Sequence, residues 1–161
     1  MPKSLLPLPL VFVLLLSPAL AHAWPGTVMS IQDGDTLTVA PAGDTDCPVS
    51  VRLYGIDAPE KQQAHGESAT IALAELLPGG AMVEVIPMDT DKYGRVVALV
   101  AHAGKVVNGT MVAAGHAWVY PKYCRAHMCT GWYALQKKAV AAKAGLWAGD
   151  APQAPWVWRR K

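Results

Sequence analysis

The stretch Val51-Arg-Leu-Tyr-Gly-Ile-Asp-Ala-Pro-Glu60 places an arginine, an aspartate and a glutamate among apolar residues. Its pattern predicts a short strand over residues 51–56, and the proline that follows favours a tight turn. Charged groups so close to apolar side chains are costly unless they pair, hold a metal or take part in chemistry. The stretch therefore predicts a functional site at the end of a strand.

Arg52 and Asp57 can reach one site only if the chain changes direction between them. They are separated by an odd number of positions, so a straight strand would point them to opposite faces of a sheet. Glycine permits the necessary irregularity in a strand. We therefore expect a bulge or a turn near Gly55.

The periodicity of apolar residues predicts an α+β protein. Five strands are predicted, at residues 27–31, 36–39, 51–56, 81–86 and 95–101. A helical spacing follows the third strand at residues 66–77, and two more helices are predicted at 106–114 and 131–144. Five short strands with an inserted helix and trailing helices favour an oligonucleotide-binding (OB) type β-barrel with about three helices.

Residues 1–23 have the pattern of a secretory signal peptide. Lys3 precedes an apolar run, and Ala21-His-Ala23 fits the small-x-small cleavage rule. The run is short for a membrane span and contains prolines, although an uncleaved anchor is the alternative. We expect a periplasmic or secreted protein without a membrane anchor after cleavage. The mature chain would be one domain at 24–150 and a basic tail, rich in proline and tryptophan, at 151–161.

The net charge does not identify a nucleic-acid-binding protein. Fourteen Lys and Arg residues face 12 Asp and Glu residues, which gives a formal net charge of +2. Binding of a polyanion would therefore need a local basic patch and a metal ion.

Export makes the three cysteines potential disulfide partners. Cys124 and Cys129 lie in one loop and are predicted to form a bridge, which leaves Cys47 over. The alternative is a metal site that combines both loop cysteines with His127.

Two aspartates are candidate metal ligands. Calcium prefers hard oxygen ligands, so Asp35, Asp57 and the backbone carbonyl of Ala58 would suit it. Manganese and magnesium also accept such ligands. Alternatively, Asp33-Gly-Asp35 is a hairpin turn with solvated acids, and Asp57 is the N-cap of a helix.

The charged residues near these acids suit phosphodiester hydrolysis. A guanidinium matches the geometry of phosphate oxygens, which makes Arg52 and Arg95 candidates for a phosphate clamp. Glu60 is a candidate general base that takes a proton from water or orients it. The alternatives are surface salt bridges for the arginines and an exposed glutamate at a helix start.

Four segments, taken in order, resemble the signature of the staphylococcal nuclease family. They are Asp33-Gly-Asp-Thr36, Arg52-Leu-Tyr-Gly-Ile-Asp-Ala-Pro-Glu60, Asp91-Lys-Tyr-Gly-Arg95 and Gly104-Lys-Val-Val-Asn108. The resemblance implies an OB barrel with three helices and a nuclease of DNA and RNA. The cysteine loop and the tail are extra to the founding enzyme and resemble secreted Gram-negative members.

The resemblance also implies roles for individual residues. The implied calcium ligands are Asp35, Asp57 and the carbonyl of Ala58. Glu60 becomes the general base, and Arg52 and Arg95 become the phosphate clamp, with Arg95 also a candidate for the acid side of the reaction. The implied substrate-binding residues are Lys92 and Tyr93 at the rim and Trp118 and Tyr120 beside the nucleotide, where aromatic rings stack on bases. The alternative for the last two is a place in the core under the last helix.

The resemblance therefore implies a monomeric, calcium-dependent nuclease with little sequence preference and a preference for single strands. It would break the 5′ P–O bond and leave a 3′-phosphate. The first rival is a non-catalytic nucleic-acid-binding module of the same fold. The second is an exported interaction protein whose basic, tryptophan-rich tail docks a partner or the cell surface.

Overall fold

The computed structural model describes residues 22–160. The predicted signal peptide lies outside the described residues apart from its last two positions, so it stays a prediction. Within residues 22–160, no helix has both the length and the apolar character that crossing a bilayer requires.

Five long strands form a closed, mixed barrel. These five are β1 Trp24–Asp33, β2 Thr36–Pro41, β3 Val49–Leu53, β5 Met82–Thr90 and β6 Val96–His102, and the short strands are β4 Ile56–Asp57, β7 Lys105–Val106 and β8 Trp118–Val119. The main sheet has the order β3-β2-β1-β5-β6-β7 with antiparallel neighbours. A parallel pairing between β3 and β6 closes it. This confirms the predicted OB-type α+β barrel.

The helices lie close to the predicted positions, with one addition. They are α1 Gly66–Leu76, α2 Val107–Ala113, α3 Met128–Ala141 and α4 Pro155–Trp158, and a 3-10 turn spans Gly145–Ala148. Helix α3 begins three residues before the predicted start, so it includes the second loop cysteine. The short helix α4 lies in the tail, where no structure was predicted.

A single apolar core fills the barrel and continues under the helices. Alternate residues of the strands point inward, as the pleat requires, and α1 to α3 each add buried side chains. The largest fully buried side chains include Leu37, Leu53, Ile56, Leu73, Leu77 and Met111. Burial of this apolar surface is the main force that holds the barrel ends, and hence the site residues, in place.

Asn108 ties α2 to the strands that carry the site. Its side chain is fully buried, and its Oδ1 accepts a hydrogen bond from the Val100 amide at 3.0 Å. Its Nδ2 donates to the carbonyls of Tyr54 and Ala98, both at 3.1 Å. Since every bond of this buried amide is satisfied, it fixes the end of β3 against β6 and α2.

Candidate active site

Two aspartates and an arginine form a buried cluster at one end of the barrel. We call Asp35, Arg52 and Asp57 the acid–arginine cluster. Arg52 Nη1 donates to Asp35 Oδ1, and Arg52 Nη2 donates to Asp57 Oδ1 at 2.6 Å. Asp35 is 2% exposed and Asp57 is fully buried. The two carboxylates therefore share one guanidinium out of contact with bulk water.

A turn at Tyr54 and Gly55 brings Arg52 and Asp57 together. Strand β3 ends at Leu53, β4 begins at Ile56, and Gly55 between them has φ +72°. A Cβ added at Gly55 would lie 2.8 Å from Cys124 Sγ, so both the conformation and the space favour glycine. The predicted change of direction near Gly55 is confirmed.

A disulfide joins Cys124 and Cys129, as predicted. Its loop braces the turn, because the backbone amides of Arg125 and Ala126 donate to the Tyr54 hydroxyl at 3.1 and 3.2 Å. Both sulfurs are used in the bond, so the alternative metal site with His127 is not formed. Cys47 is exposed and has no disulfide partner among the described residues.

The acid–arginine cluster contains two buried carboxylates but only one guanidinium, and burial disfavours their charged forms. Burial raises the pKa of Asp35 to about 7; Arg52 works against this rise, whereas Asp33 and Asp57 add to it. Asp35 Oδ2 also accepts a hydrogen bond from the Ala58 amide at 2.7 Å. Burial alone would lower the pKa of Arg52, but the two aspartates raise it above its ordinary value. One guanidinium therefore serves two buried carboxylates, a setting that favours a further cation.

Glu60 lies at the solvent edge of the cluster. It follows Pro59, its side chain is partly exposed, and its backbone amide donates to Gln63 Oε1 at 3.2 Å. Together with Asp33 it lines an open cleft. The structure thus places the predicted base beside the predicted metal ligands and within reach of water.

Arg159 from the tail closes this edge, and the sequence did not identify it as a site residue. Its Nη2 donates to Asp57 Oδ2 at 2.7 Å, and its Nη1 donates to Glu60 Oε1 at 2.6 Å. A longer bond of 3.2 Å joins Nη1 to Asp57 Oδ1. The signal in the sequence was the Arg-Arg-Lys ending of the tail, which gave no partner for these charges.

Arg95 does not contact the acid–arginine cluster in the structure. It precedes β6, which runs parallel to β3, so it approaches the site on the strand next to that of Arg52. Its Nη2 and Nε lie 2.7 Å from Asp91 Oδ2, and its guanidinium lies 5.6 Å from the Tyr93 ring centroid. Lys92 also lies over the Tyr93 ring, at 4.8 Å, and this ring is 73% exposed. Residues 91–95 therefore form a separate, solvent-facing group.

Trp118 and Tyr120 lie in different surroundings. Trp118 pairs with Asp57 in the β4–β8 ladder, but its ring is buried and meets Trp147 edge-on at 5.0 Å. The Tyr120 ring is half-buried and stacks on Trp156 of the tail, with centroids 4.9 Å apart and an angle of 6°. The predicted contacts with a nucleotide stay predictions for both residues.

Comparison with known proteins identifies the family. A family model described as "Staphylococcal nuclease homologue" matches residues 50–149. The chain belongs to the staphylococcal nuclease family. The region of the chain that the family model matches contains Arg52, Asp57, Glu60 and Arg95. Asp35 precedes this region and Arg159 follows it.

Individual relatives extend the similarity over most of the chain. An "Uncharacterized endonuclease" of Escherichia coli is 38% identical over 155 residues, 96% of this chain and 97% of the relative. "Protein ParB" of Escherichia coli is 39% identical over 145 residues, 84% of this chain and 79% of the relative. A "Probable staphylococcal-like nuclease CAN1" of Oryza sativa is 38% identical over 110 residues, 68% of this chain but 32% of the relative.

The acids fit the metal that the family implies, although the described residues contain no cluster of three histidine, cysteine, aspartate or glutamate side chains ready for a metal. Asp35 and Asp57 offer buried, hard oxygen atoms, which suit calcium. The face of Asp57 that Arg52 leaves open already accommodates a positive group, the guanidinium of Arg159. The donor atoms and the charge therefore suit a divalent cation, and this place is the one that Arg159 fills.

Proposed function

We propose that the protein is an exported, calcium-dependent nuclease that hydrolyses phosphodiester bonds of DNA and RNA with little sequence preference. Family membership and the nuclease names of its relatives support a nuclease. The observation that carries the proposal is the geometry of the site: two buried carboxylates share Arg52, and Glu60 stands at their solvent edge.

Asp35, Asp57 and the carbonyl of Ala58 would hold the calcium ion. When bound, such an ion neutralises charge on the phosphate and lowers the pKa of water near it. The chain's own part is to keep these oxygens in place, which the Arg52 bridge and the Ala58 amide do by fixing the two carboxylates.

Glu60 would take the proton of the attacking water. It is the acid of the site that keeps contact with solvent, so a water molecule can reach it without entering the core. The water oxygen forms a bond to phosphorus while the bond from phosphorus to the 5′ oxygen breaks. The products are a 3′-phosphate and a 5′-hydroxyl; the 5′ oxygen takes its proton from solvent water, and Glu60 releases to solvent the proton that it took from the attacking water.

Two arginines would stabilise the charge that develops on the phosphate. Arg52 uses two terminal nitrogens on the aspartates, and a guanidinium has five N–H donors, so further donors remain for phosphate oxygens. Arg95 would reach the phosphate by leaving Asp91, and because this ion pair is partly exposed, water can replace its contacts at little cost.

A preference for single strands and export from the cytoplasm belong to the same proposal. An aromatic ring such as Tyr120 or Tyr93 stacks on any base, which is easiest when the base is unpaired. The Cys124–Cys129 disulfide supports an oxidising compartment, either the periplasm or the medium.

The test is cleavage of denatured DNA by the purified mature chain in calcium and in chelator. We expect calcium-dependent cutting that Glu60→Gln lowers by about 10²–10⁴-fold, because the general base is removed without a change of shape. Lys61→Ala is the matched control, since Lys61 is its exposed neighbour. Magnesium and manganese arms test the choice of metal.

Each alternative predicts a different result in this experiment. Retained DNA binding without cutting would favour a non-catalytic binding module. Cutting at the wild-type rate by Glu60→Gln would exclude Glu60 as the base.

A further inference from the structure

The part of the tail that the structure describes folds back onto the candidate active site. We call residues 154–160 the C-terminal segment. Its Pro155 is buried, and just before it the Gln153 carbonyl accepts a hydrogen bond from Gln63 Nε2. Helix α4 then carries Trp156 to Tyr120 and Arg159 to Asp57 and Glu60.

The groups covered by this segment are the ones that the proposed reaction uses. Arg159 neutralises a proposed metal ligand and the proposed general base with one guanidinium. The ring of Trp156 lies parallel on Tyr120, as a nucleobase would lie in a stacked complex. The segment thus presents a cation and a flat ring to the two places where a metal ion and a base are expected.

The segment is held by these contacts and not by its own helix. Helix α4 has four residues, and a single helical turn is unstable in water on its own. Residues 148–152, which connect it to the rest of the chain, are all exposed. The Arg159 side chain is 40% exposed, so water can replace its ion pairs. The segment can therefore leave the site without disturbing the barrel.

We propose that the C-terminal segment is an intramolecular inhibitor that occupies the active site and is displaced when calcium and a nucleic acid strand bind. The inference rests on the proposed function, because it identifies the occluded groups with metal ligands, base and stacking ring. In the occluded form Arg159 pairs with Asp57 and Glu60, and in the open form a divalent cation, with twice the charge, would take its place beside Asp57.

Hydrogen exchange of the full-length mature chain tests the occlusion without any activity. The amides of residues 157–160 are all hydrogen-bonded within the segment, so they are protected only while the segment is docked. We expect protection in chelator that falls when calcium and a single-stranded oligonucleotide with nuclease-resistant linkages are added to the parent chain. We also expect Arg159→Ala to lose this protection in chelator.

Arg160→Ala and Val157→Ala are the matched controls. Both side chains are exposed, and no residue in the range 22–160 pairs with the Arg160 guanidinium. These variants should keep the protection of the parent chain. Unprotected amides at 157–160 in the parent chain would overturn the proposal.

Calcium titration by calorimetry, with calcium alone as the probe, measures the competition. If the occluded form holds most molecules, removing its main ion pairs should tighten the apparent calcium affinity about tenfold. We expect this for Arg159→Ala and not for Arg160→Ala. Cleavage by Arg159→Ala should exceed that of the parent at low calcium and equal it at saturating calcium.

The outcomes separate this inference from the proposed function. Equal calcium affinity and equal cleavage in Arg159→Ala and the parent would overturn the inhibitor while the nuclease stands. Loss of cleavage in Arg159→Ala with calcium binding intact would make Arg159 a substrate contact, which also overturns it. Absence of calcium-dependent cleavage in every variant would overturn the proposed function, and the exchange data would still decide whether the segment occludes the site.

Discussion

The molecule contains two arginine–aspartate groups of opposite character. Arg52 projects from a barrel strand, and both of its aspartates are buried. Arg95 lies beyond a turn and pairs with Asp91 four residues before it, with both side chains partly exposed. The first group is fixed by the fold, because breaking it leaves an uncompensated charge in the core. The second can open, because water compensates both partners.

This difference suggests a division of labour. In the proposed mechanism the acid–arginine cluster would provide rigid geometry for a metal and a phosphate, whereas the Asp91–Arg95 pair would hold Arg95 in reserve outside the cluster. Arg159 stands between the two types, since it is a partly exposed cation on a buried acid. The proposals therefore combine a fixed binding site with two cations, Arg95 and Arg159, that would move on binding.

The largest expected effect comes from breaking the buried group. Arg52→Ala leaves the buried Asp35 without a guanidinium and Asp57 with that of Arg159 alone, which should lower the free energy of unfolding by about 3–5 kcal/mol. Urea denaturation in chelator measures this loss. Cleavage of denatured DNA should be lost as well.

Arg52→Lys is the control, because it keeps the charge and loses the two-pronged geometry. It should recover much of the stability and little of the activity. Equal stability of Arg52→Ala and the parent would show that the cluster does not depend on its arginine.

The exposed group should respond in the opposite way. Arg95→Ala should lower cleavage by about 10²–10³-fold, since one donor to the transition state is removed. Its unfolding free energy should change by less than about 1 kcal/mol, because both side chains of the pair are partly exposed to water. Steady-state cleavage and urea denaturation on the same preparation check both statements.

Asp91→Asn tests whether the ion pair with Asp91 is itself needed for cleavage or whether only Arg95 is. It releases Arg95 without removing it, so cleavage should persist. Activity at the parent level in Arg95→Ala would remove Arg95 from the mechanism.

The sequence allowed the barrel and the approach of Arg52 to Asp57 to be predicted because local rules and the fold agree there, but not the ion pairs of Arg52 with both aspartates. Arg52 and Asp57 are an odd number of positions apart, so they can reach one site only if the chain changes direction between them, and Gly55 permits this change. The Tyr54–Gly55 turn and the pairing of β4 with β8 satisfy that requirement. The disulfide followed in the same way from the short loop between its cysteines.

The tail could not be predicted because its structure depends on contacts distant in sequence. A four-residue helix has no periodicity to detect, and it forms where Trp156 and Arg159 find Tyr120 and Asp57. The ion pair between Arg95 and Asp91 could not be predicted from the sequence either. A spacing of four residues indicates contact in a helix, but Asp91 and Arg95 flank a turn.

The smallest expected effect is a pH dependence that distinguishes the two acids. Burial raises the pKa of Asp35 to about 7. Although burial by itself would raise the pKa of Asp91, hydrogen bonds from Arg95 lower it below its ordinary value. The folded chain therefore holds the Asp35 proton more tightly than the unfolded chain. This stabilisation is complete below the ordinary pKa of 3.8 and is lost as pH rises towards 7.

In chelator, the free energy of unfolding should therefore fall on the order of 1–2 kcal/mol between about pH 5 and pH 8, since one pKa unit corresponds to about 1.4 kcal/mol. Asp35→Asn should flatten this fall, and urea denaturation at both pH values measures it. His65 and His116, whose pKa values burial lowers, act in the opposite direction but are common to both proteins. Asp91→Asn should keep the parent slope here, because the stabilisation from Asp91 is lost only as pH falls through 3.8 and below. A parent-like slope in Asp35→Asn would mean that the buried cluster does not hold the proton.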